Sequence, residues 1–199
     1  MAELVDLTDV LGEGGCVTLV RRGLVEVLSV MGVRVWREIG WGEVADRVRQ
    51  LPRAERGAPS PVLLGKPLPG GWTLVVEVDG RAGWIGARSH TLERLSERGT
   101  VAASLWRSPN REEVLYAEDG VVWGGFDLTT GQRWGTYSDN FDAVAAALGF
   151  PLSEGGEQSE RLMSPGVGQR CTRALEVLTS VRLTRAMFDG PWQGGLRRP

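Results

Sequence analysis

The stretch Gly71-Trp72-Thr73-Leu74-Val75-Val76-Glu77-Val78-Asp79-Gly80 decides the fold. Trp72, Leu74, Val76 and Val78 alternate with Thr73, Val75 and Glu77. Period two is the pattern of a strand, here with one face more apolar than the other. Asp79-Gly80 signals a tight hairpin, because a type I′ turn needs positive φ at both central residues. Arg81 to Ala87 is the expected return strand.

The signals continue toward the C-terminus. Ser89 can cap a helix running through Arg98, with Leu92 and Leu95 inward and Gly99 as its stop. Thr100 to Arg107 reads as a strand, and Ser108-Pro-Asn-Arg as a turn. Val114 to Ala117 and Val121 to Phe126 flank Glu118-Asp119-Gly120, a second hairpin. Thr129-Thr130-Gly131 then turns the chain into Gln132 to Thr136. Consecutive hairpins imply an antiparallel sheet over residues 72–136.

Ser138 or Asp139 can cap the next helix, whose apolar positions are Phe141, Val144, Ala145 and Leu148; Gly149 and Pro151 end it. Residues 153–168 are rich in Gly, Ser and Glu and read as a flexible loop. Cys171, Ala174, Leu175, Leu178 and Val181 form the apolar stripe of a helix over 169–180. Thr184 can cap a further turn through Phe188. Gly190-Pro191 breaks it, and residues 189–199 read as a frayed tail.

Toward the N-terminus, residues 52–71 carry five prolines and four glycines and read as a loop. Trp41 to Val48 suits a short helix. Cys16 to Arg21 is a β-branched run that follows glycines 12, 14 and 15. Leu24, Val27, Leu28 and Met31 have helical spacing, with Gly32 as the stop. Residues 1–14 form an N-terminal segment. The expectation is a single α+β domain: a mostly antiparallel sheet of hairpins covered by about four helices, near 24–31, 89–98, 139–148 and 169–180.

Composition narrows the function. A chain of 199 residues can bury roughly 70% of its unfolded surface and needs neither disulfides nor metal to fold. A net charge of −2 gives no support to a nucleic-acid or polybasic membrane binder. Lys66 is the sole lysine among 23 basic residues, and the arginines scatter as codon bias in a GC-rich genome predicts. Cys16 and Cys171 make no secreted-type framework and read as buried thiols. Neither a signal peptide nor an apolar run of membrane-spanning length is evident, so the expected location is the cytoplasm.

Chemistry-bearing motifs are scarce. His90 is the only histidine and sits at a helix start, so no metal set or triad forms around it. The glycine clusters at 12–15 and 166–168 match neither a phosphate loop nor a dinucleotide fingerprint. No cofactor or metal is expected. Among the carboxylates, Asp79 and Asp119 are explained as turn residues. Glu77 stands out on the polar face of its strand, as a half-buried ion pair with an arginine or as a site acid.

Tryptophan is abundant instead: eight in all. Trp72, Trp84, Trp106, Trp123 and Trp134 fall in the central block, and one small sheet can hardly bury all five on one face. Trp72 and Trp106 suit the core. Trp123 and Trp134 flank the turn at 129–131, with Arg133 and Tyr137 beside Trp134. Trp, Tyr and Arg are enriched at binding hot spots. Core packing and a partner surface both remain open for these residues.

Several segments together resemble a family. They are Gly71-Trp72-Thr73 with Glu77, Glu118-Asp119-Gly120, Arg133-Trp134-Gly135, Val181-Arg-Leu-Thr184 and Phe188-Asp-Gly190-Pro191. The chain resembles, from about residue 15 onward, an actinobacterial family of about 200 residues known as domain of unknown function 6461. The resemblance implies one compact domain and a bacterial cytosolic setting, and it brings no catalytic residue with it. By analogy of fold alone, small bacterial α+β proteins often serve as immunity or defence partners.

The leading expectation is therefore a non-enzymatic protein that engages another protein, a toxin or conflict-system component included. The first alternative is a small-ligand binder with a Trp-lined cleft. The second is an enzyme built on carboxylates and arginines, with Glu77 beside Arg81 or Arg133.

Overall fold

The structure, a computed structural model, describes residues 4–11, 14–33, 37–40, 62–78, 84–136, 138–150 and 167–196. The helix expected at Trp41–Val48, most of the loop expected at 153–168, and Tyr137 lie outside those residues.

Among the described residues nine strands form one open antiparallel sheet: β1 Gly15–Val20, β2 Arg37–Gly40, β3 Val62–Leu68, β4 Trp72–Val78, β5 Val101–Ser108, β6 Arg111–Glu118, β7 Val121–Asp127, β8 Arg133–Gly135 and β9 Pro191–Leu196. Their order is β2-β9-β3-β4-β1-β5-β6-β7-β8. Among the described residues five helices cover it: α1 Leu7–Leu11, α2 Leu24–Val30, α3 Ser89–Ser96, α4 Ser138–Leu148 and α5 Val167–Thr179. The expected α+β class holds.

The period-two reading of β4 places its residues correctly. Leu74 and Val76 enter a core with α1, α4 and α5, through Leu7, Phe141 and Leu175. Val75 faces the opposite side, where Val27 and Leu28 of α2 and Leu92 and Leu95 of α3 form a second core. With helices on both faces, Thr73 and Glu77 are buried as deeply as the valines. One face of β4 does not look out to water, as its polar residues suggested.

The β5–β8 meander follows the turn signals. Asp119 (φ 48°) and Gly120 (φ 78°) make the tight turn between β6 and β7, and Asp119 Oδ1 accepts the Gly99 N–H at 2.8 Å.

Elsewhere the sequence reading needs correction. Residues 62–71 are not loop: they hold β3 and a 3-10 turn, Pro69–Gly71. The return strand expected at 81–87 is absent over 84–87, which bend and turn, while 81–83 lie outside the described residues. Strand β4 already pairs with β1 and β3, so neither of its edges is open to a hairpin partner. Helix α3 starts at Ser89 itself; the carbonyl of Arg88 accepts the N–H of Thr91 and Leu92. The largest correction is the tail. Residues 191–196 form β9, an interior strand between β2 and β3, and Trp192 is wholly buried.

Candidate functional site

Beyond the cover of α2 and α3, the same sheet face carries a polar-aromatic patch built by strand register. The hairpin at Ser108–Arg111 sets Trp106 of β5 opposite Glu113 of β6, and Asp127 of β7 lies opposite Glu113 on the other side. On β8, Trp134 lies opposite Gly125. The Glu113 carboxylate gathers these groups. Its Oε2 accepts the indole N–H of Trp106 at 3.0 Å, and its Oε1 accepts that of Trp134 at 2.7 Å.

Arg111 completes the patch. Its guanidinium lies 5.4 Å over the Trp106 ring and donates to Glu113 Oε1 at 3.3 Å. It also pairs with Asp127 Oδ2 at 3.4 Å. Asp127 is further fixed by the backbone N–H groups of Thr129 and Thr130, at 2.8 and 3.0 Å. Glu113 and Asp127 are buried, whereas Trp134 is 46% exposed.

Gly125 is required under that ring. A Cβ there would lie 2.7 Å from Trp134 Nε1 and 2.8 Å from Leu115 Cδ2. The indole therefore lies close against the sheet while much of it stays exposed.

The residues singled out in the sequence do not all meet here. Trp123 is the extra residue of a β-bulge in β7: Tyr116 pairs with Gly124 and Ala117 with Val122. A bulge turns side chains out of alternation. Trp123 consequently packs on the α4–α5 core instead of beside Trp134. Arg133 pairs with Asp142 of α4. Of the expected surface, Trp134 belongs to the patch, while Arg111, Glu113 and Trp106 were not foreseen as its members. Their signal was the turn at 108–111, which fixes the 106–113 register.

Glu77 forms a second cluster. Its two carboxylate oxygens accept backbone N–H groups, Oε2 from Ile85 at 2.8 Å and Oε1 from Gly86 at 2.7 Å. The expected half-burial is thus corrected to full burial, with an amide pair on the carboxylate and the charge of an arginine, Arg88, acting on it. Nearby, the Ser104 hydroxyl lies 3.1 Å from both Cys16 Sγ and Thr18 Oγ1. Burial pushes the Glu77 carboxyl above its usual range, against the pull of Gly86, Ile85, Cys16 and the Arg88 charge. Burial, reinforced by Glu77, also lifts the Cys16 thiol. Such a thiol stays protonated and is a poor nucleophile. The cluster clasps residues 85–86 onto the sheet.

Cys171, also a buried free thiol, points its Sγ at Glu112 Oε2 at 3.4 Å, and burial raises it too. His90 is exposed on α3. Among the described residues no group of three or more His, Cys, Asp or Glu side chains is placed to hold a metal.

A groove of about 660 Å³ lies along α2 beside Gln193, and a cavity of about 340 Å³ lies between Asp9, Arg185, Phe188 and Asp189. Trp106, Trp123 and Trp134 line neither. No described helix is long and apolar enough to cross a membrane.

The model of a family of unknown function, DUF6461, matches residues 4–191. No curated protein and no solved structure matches the chain.

Proposed function

We propose that this chain, which belongs to the family of unknown function DUF6461, is a non-enzymatic binding protein that engages another protein through the Trp106–Arg111–Glu113–Trp134 patch. One observation carries the reading: Trp134 is held flat by a buried carboxylate with 46% of its surface open. A tryptophan fixed in this way offers large apolar area at little entropic cost on binding. The mix of Trp and Arg on a rigid sheet supports an interface in place of an enclosed ligand site, and both concavities lie elsewhere.

Arginine in place of lysine supports a GC-rich actinobacterial host. The partner class is a folded protein, with a toxin or conflict-system component as the first candidate by analogy of fold.

The test is affinity capture from the native host, wild type against Trp134→Ala. A captured protein whose yield falls by about 30-fold or more in the variant supports the reading, since hot-spot tryptophans contribute about 2 kcal/mol or more. Equal capture by a folded Trp134→Ala variant overturns it.

A further inference from the structure

The patch already shows how it holds a cation. Arg111 lies over the Trp106 ring while its nitrogens reach Glu113 and Asp127. That is an indole face joined to carboxylates, the combination that recognises guanidinium and ammonium groups. Trp134 repeats half of this arrangement without such a cation among the described residues. Its N–H end is bound to Glu113, its ring lies close against Gly125, and 46% of the residue is exposed.

Charge points the same way. Within the patch one guanidinium stands against two carboxylates, Glu113 and Asp127. The neighbouring arginines are engaged elsewhere: Arg107 with Glu112 at 3.1 Å, and Arg133 with Asp142. An approaching carboxylate would meet Glu113 and Asp127, whereas a cation would meet an aromatic face with surplus negative charge behind it.

We propose that the outward face of Trp134 receives a cationic side chain, an arginine or lysine of the protein partner, with Glu113 and Asp127 supplying the charge complement. This rests on the protein-binding reading above and adds the chemistry of the contact. Glu113 acts as the positioning residue: by binding both indole N–H groups it fixes the plane against which the cation stacks.

The test uses the full chain labelled with ¹⁵N at its tryptophan indoles, with Trp134 assigned by Trp134→Phe. The probes are three capped tripeptides, Gly-Arg-Gly, Gly-Lys-Gly and Gly-Glu-Gly. The expected result is a saturable shift of the Trp134 indole signal with the arginine and lysine peptides and none with the glutamate peptide. Salt raised from about 50 mM to about 500 mM should weaken the effect at least threefold, because the contact lies at the surface. Glu113→Gln should weaken it likewise; should that variant not fold, the salt series stands in for it. No saturable shift with either cationic peptide, or an equal shift with the glutamate peptide, overturns the proposal. Trp134-dependent capture of a partner without peptide binding leaves the interface reading standing and removes only the cationic contact. Peptide binding without a captured partner does the reverse.

Discussion

The indole N–H of Trp134 on β8 meets Glu113 Oε1 on β6 at 2.7 Å across the intervening β7, although the residues are 21 positions apart. The same carboxylate takes the Trp106 indole on its other oxygen. Three side chains that would each be free to turn in isolation are thus fixed together, and the exposed ring gains a single orientation.

Replacing Glu113 should therefore cost stability as well as binding. Glu113→Ala leaves two indole N–H groups and Arg111 without their shared acceptor, at a cost of about 2–3 kcal/mol. Glu113→Gln retains one acceptor oxygen and should cost about half as much. Urea unfolding midpoints measure both; a neutral Ala variant would show that the carboxylate organises nothing.

Gly125→Ala should displace Trp134 while leaving the sheet intact, since the added methyl enters the space taken by the indole. Partner capture should fall at least tenfold, with a stability loss of about 1 kcal/mol, within the range for overpacking. The Trp134 indole signal reports displacement directly; an unmoved signal with unchanged capture would contradict the packing described.

Residues 191–196 should be indispensable. Trp192→Ala removes a wholly buried indole and should cost about 3–5 kcal/mol. Ending the chain at Gly190 removes the strand between β2 and β3 and should abolish cooperative unfolding. Thermal unfolding by circular dichroism decides: a truncated chain with a wild-type transition would show that β9 adds little.

Glu77 should give stability a specific pH dependence. Its folded-state pKa is raised above the ordinary carboxyl value, mainly by burial. The folded state therefore holds this proton more tightly than the unfolded chain does. Its contribution is fully present below about pH 4.5 and is lost as pH rises through the raised folded value. Gln cannot titrate, so the stability advantage of wild type over Glu77→Gln should shrink from acid to neutral pH. Chemical denaturation at several pH values measures this; an advantage that grows with pH would require a lowered pKa.

The meander and helices α2 to α5 were legible because their signals are local, whereas α1 was read only as part of an N-terminal segment. The turns at 108–111 and 118–121 and the apolar spacing of α2, α3, α4 and α5 lie within a few residues of one another. Strands β3 and β9 were not legible. Val62-Leu-Leu-Gly-Lys-Pro-Leu68 and Pro191-Trp-Gln-Gly-Gly-Leu196 carry the Pro and Gly of loops, and each becomes a strand through partners far away in the chain. Asp79-Gly80 misled for the converse reason: the edges of β4 were filled by β1 and β3.

The sequence by itself determined the fold class, the antiparallel meander, the buried thiols and the presence of Trp134 in a tryptophan-rich block. Which tryptophans share a surface depends on how the strands pair across the sheet. The bulge at Trp123 turns that ring onto the core, and four aligned strands bring Glu113 to both Trp106 and Trp134. Local spacing encodes which side of its own strand a residue takes. Which carboxylate it meets depends on cross-strand register and bulges, and those are fixed only when the whole sheet closes on its two cores.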